Sequence, residues 1–418
     1  MWETLRNAWR VDDLRKKILY TLGMLLVFRL VGVIPAPGVD IVAVNAKMGT
    51  TSLPLLDLVN MMTGNAFSNM TVMAMGITPY INSSIIMQLL TIAIPALERM
   101  QKEGEEGRKR IATITRYVTV GLAVVQAIGL VAGLGYIKSG WFNYVLVGLS
   151  MAGGTSLAMW IGERITEKGI GNGISLLIFA GIVNNLFSGI VGGVRKASTA
   201  SDWTNLFVIV VAAVAMITLI TFVDMGERRI PVQYAKRVVG RKMYGGQSTH
   251  IPMKVNSTGM LPLIFAYSFM AFPGTIIQLI GGPQSSVYLW WTRYMGSTSG
   301  AYLTVTALLI IAFTFFYTSI SFNPQDISKN IQQQGGLIPG IRSGKNTVDF
   351  LKRTSNRLTL FGALFLAVLA TIPTLLTRGL QASVPYAASS LIIAVSVALE
   401  TTRQLESQLT MRHYKGFL

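Results

Sequence analysis

The sequence contains no cysteine and only two histidines, His250 and His413. Without cysteine the chain can form no disulfide framework, no thiol nucleophile and no thiolate metal site. Two histidines are too few for a histidine cluster that would hold a metal ion. The sequence therefore predicts that the chain holds no metal and no cofactor.

Charged residues are also scarce. They make up 13% of the 418 residues, against 51% hydrophobic residues, and the mean hydropathy is +0.51. A soluble chain usually carries about 25% charged residues. This composition is that of a membrane protein.

Ten apolar stretches are long enough to cross a bilayer core, which needs roughly 20 apolar residues per helix. Apart from Arg29, they contain no Asp, Glu, Lys, Arg or His. Continuous apolar runs do not alternate as the strands of a membrane β-barrel do, so the predicted fold is an all-α polytopic membrane protein with ten transmembrane helices. The predicted spans are 18–36, 69–95, 117–135, 143–161, 173–194, 205–223, 258–281, 302–322, 358–377 and 384–399.

The net charge is +18, with 36 Lys and Arg against 18 Asp and Glu. Most of these basic residues lie in alternate connections between the spans. By the positive-inside rule these connections face the cytoplasm, which also places both termini there. The connections are residues 1–17, 96–116, 162–172, 224–257, 323–357 and 400–418.

The ten spans divide into residues 1–196 and 197–418, with five spans in each half. An odd number of spans per half requires the second half to be inverted relative to the first, as in inverted-repeat transport proteins. Helix breakers occur in the second span of each half, at Gly76-Ile77-Thr78-Pro79 and at Pro262 and Pro273-Gly274. These two spans are therefore the candidates for lining a pathway.

Several functions remain open at this point. Ion-coupled carriers carry ionisable groups inside their spans, and a membrane-embedded enzyme needs a nucleophile with an acid, a base or a metal beside it. The nearly uncharged spans argue against both, so the chain is not expected to be an enzyme. A passive channel and a small-solute secondary carrier stay as alternatives. The basic loops 224–257 and 323–357 are candidate docking surfaces for an acidic or RNA-containing partner.

Seven stretches carry a specific resemblance, and they run in order through both halves. The chain resembles the SecY family, whose members form the central subunit of the bacterial protein-conducting channel. The matching stretches are GITPYINSSIIMQLL (76–90), EGEEGRKRIATITRY (103–117), ITEKGIGNGISLLIFAGIV (165–183), ERRIPVQYAKR (227–237), YGGQSTHIPMKVNSTGMLPLIFA (244–266), FNPQDISKNIQQQGGLIPGIR (322–342) and QLESQL (404–409).

The resemblance implies two pseudo-symmetric inverted five-helix halves around an hourglass pore. The pore would close at a ring of aliphatic side chains, and a plug would block its outer funnel. The implied pore-ring residues are Ile77, Ile81, Ile178, Ile182, Ile264 and Ile393. The implied plug residues are Leu58, Val59, Asn60, Met61, Met62, Thr63, Gly64, Asn65, Ala66 and Phe67.

The resemblance further implies a lateral gate, through which apolar segments leave for lipid, and a docking site for the ribosome and the SecA motor ATPase. The candidate gate residues are Asn82, Gln88, Gln126 and Phe272, and the candidate docking residues are Arg241, Lys242 and Arg342. Other implied partners are SecE-like and SecG-like small membrane subunits, phospholipid, and unfolded preproteins with signal sequences. The implied location is the bacterial plasma membrane.

Overall fold

The structure is a computed structural model of the 418-residue chain. It describes Arg6 and residues 8–40, 63–134, 140–196, 200–234, 237–239, 242–244, 248–281, 285–296, 299–380 and 388–413.

The described residues are mostly helical. The helices are α1 (Asp12–Val31), α2 (Thr78–Ala93), α3 (Pro95–Lys102), α4 (Glu105–Leu134), α5 (Trp141–Lys168), α6 (Gly173–Lys196), α7 (Ala200–Met225), α8 (Leu261–Gly281), α9 (Ser286–Tyr294), α10 (Gly300–Ser321), α11 (Pro324–Gln333), α12 (Lys345–Leu380) and α13 (Ala388–His413). The strands are β1 (Glu227–Tyr234), β2 (Arg237–Val239), β3 (Lys242–Tyr244), β4 (Ser248–Lys254) and β5 (Gly336–Leu337).

A helix lies in each of the ten predicted apolar stretches. Among the described residues, six helices are long and apolar enough to cross a membrane. The number is seven if α2 and α3, which meet at an angle of 100°, count as one span. The predicted helical, polytopic fold class is therefore confirmed, and the count of ten crossings remains a prediction.

The chain forms two compact units. Unit 1 takes its described residues from Met1–Phe207, Ser268–Tyr302 and Ser383–Leu418, and unit 2 from Val208–Tyr267 and Leu303–Ala382. The predicted division into residues 1–196 and 197–418 is a statement about internal symmetry, and it stays a prediction.

Helix α5 is the central element of unit 1, where it packs against α1, α2, α4 and α6. Small residues make these contacts close. At Gly154 an added Cβ would lie 2.7 Å from the carbonyl carbon of Val72, so only glycine fits there. A separate apolar cluster joins α1, the α5–α6 connection and α13 through Leu14, Ile170 and Leu405.

Unit 2 contains the two long basic loops, and the structure joins them in one sheet. Strand β1 pairs antiparallel with β4 from the same loop and with β5 from the second loop, giving the order β4-β1-β5. The base of the first loop is closed by Asn256, whose Nδ2 donates to Asp224 Oδ1 at 2.7 Å. The sequence interpretation missed this sheet and treated both segments as irregular loops.

Candidate pore, plug and docking surface

All six candidate pore-ring isoleucines are buried, none more than 8% exposed. Ile77 caps the N-terminus of α2, and the Ile81 amide donates to its carbonyl at 3.0 Å. Ile178 and Ile182 lie in α6, which contacts the helix of Ile393, α13. These five residues belong to unit 1 and Ile264, in α8, to unit 2. That the six form one ring stays a prediction.

The two predicted helix breaks differ. In the second span the helix begins only at Thr78, because Gly76 has a φ of +50° and Pro79 occupies the first turn, where its missing N–H is tolerated. In the seventh span α8 is continuous and contains Pro273 in its interior. The break therefore lies at the start of α2, next to the candidate pore residue Ile77.

The candidate plug is described from Thr63 onward, and Leu58, Val59, Asn60, Met61 and Met62 lie outside the described residues. Thr63, Ala66 and Phe67 are buried, and Gly64 and Asn65 both have positive φ values, of 65° and 70°. A tight turn follows, in which the Thr71 amide donates to Ala66 O at 3.1 Å.

This turn is tied to the segment that follows α1. The Ala36 amide donates to Met70 O at 3.0 Å, and the Val72 amide donates to Ile34 O at 2.9 Å. Next to it, Thr63 packs so closely on Gly76 that a Cβ there would lie 2.7 Å from Thr63 Cγ2. The described part of the candidate plug is therefore a buried turn fixed between α1 and the start of α2.

The candidate lateral-gate residues have different surroundings. Asn82 is half-buried and Gln88 is exposed, both in α2. In α4, the buried Oε1 of Gln126 has no hydrogen-bond partner among the described residues. Phe272 lies in α8, and its side chain is outside the described residues. Their role at a gate stays a prediction.

One polar residue of the second span, Ser83, joins two helices by a hydrogen bond. Its Oγ donates to Thr115 O of α4 at 3.0 Å, and both residues are buried. Hydrogen bonds of this kind hold helices together where no water is present to replace them.

The candidate docking residues lie on the two long loops. Arg241 lies outside the described residues, and Lys242 is the first residue of β3, which pairs with β2 as a hairpin. Arg342 is exposed in the turn between β5 and α12. Its carbonyl accepts from Thr347 Oγ1 at 3.1 Å, which holds its backbone, and its side chain is exposed.

The sheet β4-β1-β5 packs on a small apolar core that the sequence interpretation did not include. Its members come from the strands β1 and β4, from α11, from the turn after β5 and from α12, and they are Ile230, Val232, Met253, Ile331, Ile338 and Leu351. The alternation of buried and exposed residues in β1, with Ile230 and Val232 inward, is the only sequence signal for it.

Exposed ion pairs lie in α3 and in the first turns of α4. Lys102 Nζ contacts Glu98 Oε1 at 2.5 Å, and Lys109 contacts Glu105 at 2.9 Å. The hydrogen bond from Lys102 and its positive charge lower the pKa of the Glu98 carboxyl. Such exposed pairs contribute little to stability. They show that this segment carries both acidic and basic residues.

The structure contains several apolar helices of membrane-crossing length, a broken second span and a buried turn between α1 and α2. These features define the class of the protein, which is a multi-pass helical membrane protein. A model of the SecY family matches residues 71–402. The protein translocase subunit SecY of Streptomyces scabiei is 41% identical, with 100% of each chain covered.

Solved structures agree in fold. The structure of a protein conducting channel matches with a TM-score of 0.69 and 19% identity, covering 94% of this chain and 92% of that chain. Sec61 in the canine ribosome-channel complex from the endoplasmic reticulum matches with a TM-score of 0.63 and 17% identity, again covering 94% and 92%. The chain belongs to the SecY family. This confirms the predicted class of function, a channel subunit of the protein translocase, over the small-solute carrier.

Proposed function

We propose that the chain conducts unfolded preproteins across the bacterial plasma membrane through a pore between its helices, and releases apolar segments into lipid through a lateral gate. The observation that supports this most strongly is the burial of six isoleucines at the predicted pore positions in a chain of the SecY family. The chain itself catalyses no reaction in this proposal, and the driving force comes from its partners.

A ring of isoleucines suits a polypeptide substrate for physical reasons. A narrow apolar constriction resists wetting, so it limits ion flow when it is empty. Aliphatic side chains also adapt to varied substrate side chains without binding any of them strongly, whereas a ring of charges would retain oppositely charged segments. Ile81 and Ile182 are 8% and 1% exposed, as a closed constriction requires.

Residues 58–67 are proposed to act as the plug. Gly64 and Asn65 have positive φ values, which a regular helix does not contain, and both residues are poor helix formers. A segment held by turns and a few hydrogen bonds leaves its place at a lower cost in free energy than a helix packed over its full length. This supports reversible displacement during transport.

The sheet of unit 2 is proposed to be the cytoplasmic docking site for the ribosome and the SecA motor ATPase. Arg342 presents a guanidinium on a fixed backbone, and guanidinium groups suit phosphate and carboxylate partners. With this docking site in the cytoplasm, both termini also face the cytoplasm. SecE-like and SecG-like subunits and phospholipid are the proposed membrane partners.

Site-specific photo-crosslinking tests the proposed pore. A preprotein arrested during transport, with a photo-reactive residue in its translocating part, is expected to label Ile81, Ile182, Ile264 and Ile393. Val211, which is 49% exposed in α7, is the control position and should stay unlabelled. Labelling of Val211 without labelling of the isoleucines would contradict the proposal.

A further inference from the structure

Arg29 is the one ionisable residue in the predicted spans, and the structure places its guanidinium against backbone carbonyls. The side chain is half-buried near the end of α1. Its Nη2 donates to Ala180 O of α6, and its Nη1 lies 3.5 Å from Gly64 O of the candidate plug. A charge at membrane depth is costly unless polar groups surround it, and these two carbonyls supply that surrounding.

A second donor reaches the same plug carbonyl from another helix. Asn184 Nδ2, in α6, donates to Gly64 O at 3.2 Å. A carbonyl oxygen has two lone pairs and can accept both bonds. One peptide group of the candidate plug is thus held from α1 and from α6 at the same time. We call the four residues Arg29, Gly64, Ala180 and Asn184 the Gly64 clamp.

Glycine at position 64 is what allows this approach. Its φ of +65° is unfavourable for residues with a side chain, and an added Cβ would lie 2.8 Å from Arg29 Cζ. Any larger residue would push the guanidinium away from the plug backbone. The clamp therefore requires two things: hydrogen-bond donors placed on α1 and α6, and a plug residue without a side chain at position 64.

We propose that Arg29 and Asn184 are positioning residues that hold the plug in its closed place through the Gly64 carbonyl. This inference deepens the proposed function, because it rests on residues 58–67 acting as the plug. The two side chains contact the plug and neither is proposed to contact the substrate.

The arrangement of the clamp also lets the plug leave at a low cost in free energy. When Gly64 moves away, Arg29 keeps the Ala180 carbonyl as a partner, so its charge is not left without a hydrogen bond. A contact to a buried charge is hard to break when breaking it would leave the charge without any partner, because an unpaired buried charge has a high free energy. The hydrogen bonds of the clamp thus contribute a modest net free energy to the closed state of the plug, and this contribution is small enough to allow opening.

The absence of cysteine makes the position of the plug measurable. Ala66→Cys provides a single thiol at a residue that is 5% exposed in the closed turn. In vesicles containing the full complex, we measure its labelling rate with a membrane-impermeant maleimide. Asn184→Leu and Arg29→Met should each raise this rate about 3- to 10-fold, the effect of losing one net hydrogen bond.

Ser156→Ala is the matched control, because among the described residues Ser156 Oγ bonds the Ala152 carbonyl of its own helix, at 2.9 Å, and no part of the plug. It should leave the labelling rate unchanged. Asn184→Leu removes no charge, so it carries the test if Arg29→Met fails to assemble. Unchanged labelling in a correctly assembled Asn184→Leu variant would overturn the inference.

Ion conductance of the closed channel separates this inference from the proposed plug function. Gly64→Val displaces the turn sterically and serves as the reference for an unsealed pore. If Gly64→Val raises conductance while the clamp variants change neither labelling nor conductance, the clamp is wrong and the plug stands. If the clamp variants raise labelling but neither they nor Gly64→Val raise conductance, the clamp holds this segment but the segment is not the seal.

Discussion

Arg342 combines an exposed side chain with a backbone held by hydrogen bonds. Thr347 holds its carbonyl, and Ser328 Oγ donates to the nearby Gly344 carbonyl at 3.2 Å. Gly340 and Gly344, with φ values of 79° and 93°, form the bends on either side. The turn therefore presents one guanidinium in a defined place, which is the geometry that recognition of a phosphate or carboxylate group needs.

Arg342→Glu is expected to impair docking without affecting folding. Reversing the charge turns attraction to an acidic partner into repulsion, and we expect at least a 10-fold loss of motor- or ribosome-dependent transport in reconstituted vesicles. Arg108→Glu makes the same change at an exposed residue of α4 outside both loops and should retain most transport. Equal rates for the two variants would show that Arg342 is not a docking contact.

At the scale of single residues, the sequence predicts helical positions better than it predicts partners. Ile178 and Ile182 lie in the predicted span 173–194, and the structure places both in one helix, where both are buried. Arg29 stands out in the sequence, yet its partners do not, because they are backbone carbonyls. Every residue has a carbonyl, so the sequence carries no signal for which of them Arg29 reaches.

The sheet β4-β1-β5 is the element that organises the two long loops. Leu351 of α12 and Val232 of β1 lie in its core, 0% and 1% exposed. The loops are thus parts of one folded structure rather than two independent docking segments. The position of the turn that carries Arg342, relative to β1 and β4, therefore depends on this small core.

Leu351→Ala is expected to loosen the sheet. Removing a buried leucine side chain costs about 2 to 5 kcal/mol, which should appear as faster hydrogen exchange of the β1 amides. Leu364→Ala, on the same helix but 48% exposed, is the matched control and should leave exchange in β1 unchanged. Equal exchange in both variants would mean that the core does not support the sheet.

The helices could be predicted from the sequence and the sheet could not. Apolar runs of about 20 residues are a strong local signal, and each of the ten contains a helix. Strand β5 has only two residues, and its partner Gln233 lies about a hundred positions earlier in the chain. Pairing between such distant short segments depends on tertiary contacts that no local pattern records.

At the scale of the whole molecule, the basic residues predict one orientation. Two cysteine variants test this orientation, Ser343→Cys and Ser286→Cys. Ser343 lies in a predicted cytoplasmic loop, and Ser286 lies between the seventh and eighth predicted spans, on the predicted outer side. In intact cells a membrane-impermeant maleimide should label Ser286→Cys but label Ser343→Cys only after permeabilisation. The reverse pattern would place the termini outside and contradict the predicted topology.

The sheet of unit 2 also has a mechanical consequence. Strand β1 directly follows α7, and β5 lies between α11 and α12, so two membrane helices from separate parts of the chain meet in one hydrogen-bonded structure. If Arg342 is the docking contact proposed above, a force applied there would reach α12 directly and α7 across the strands. We therefore expect a push on this turn to move both helices together rather than to bend one loop.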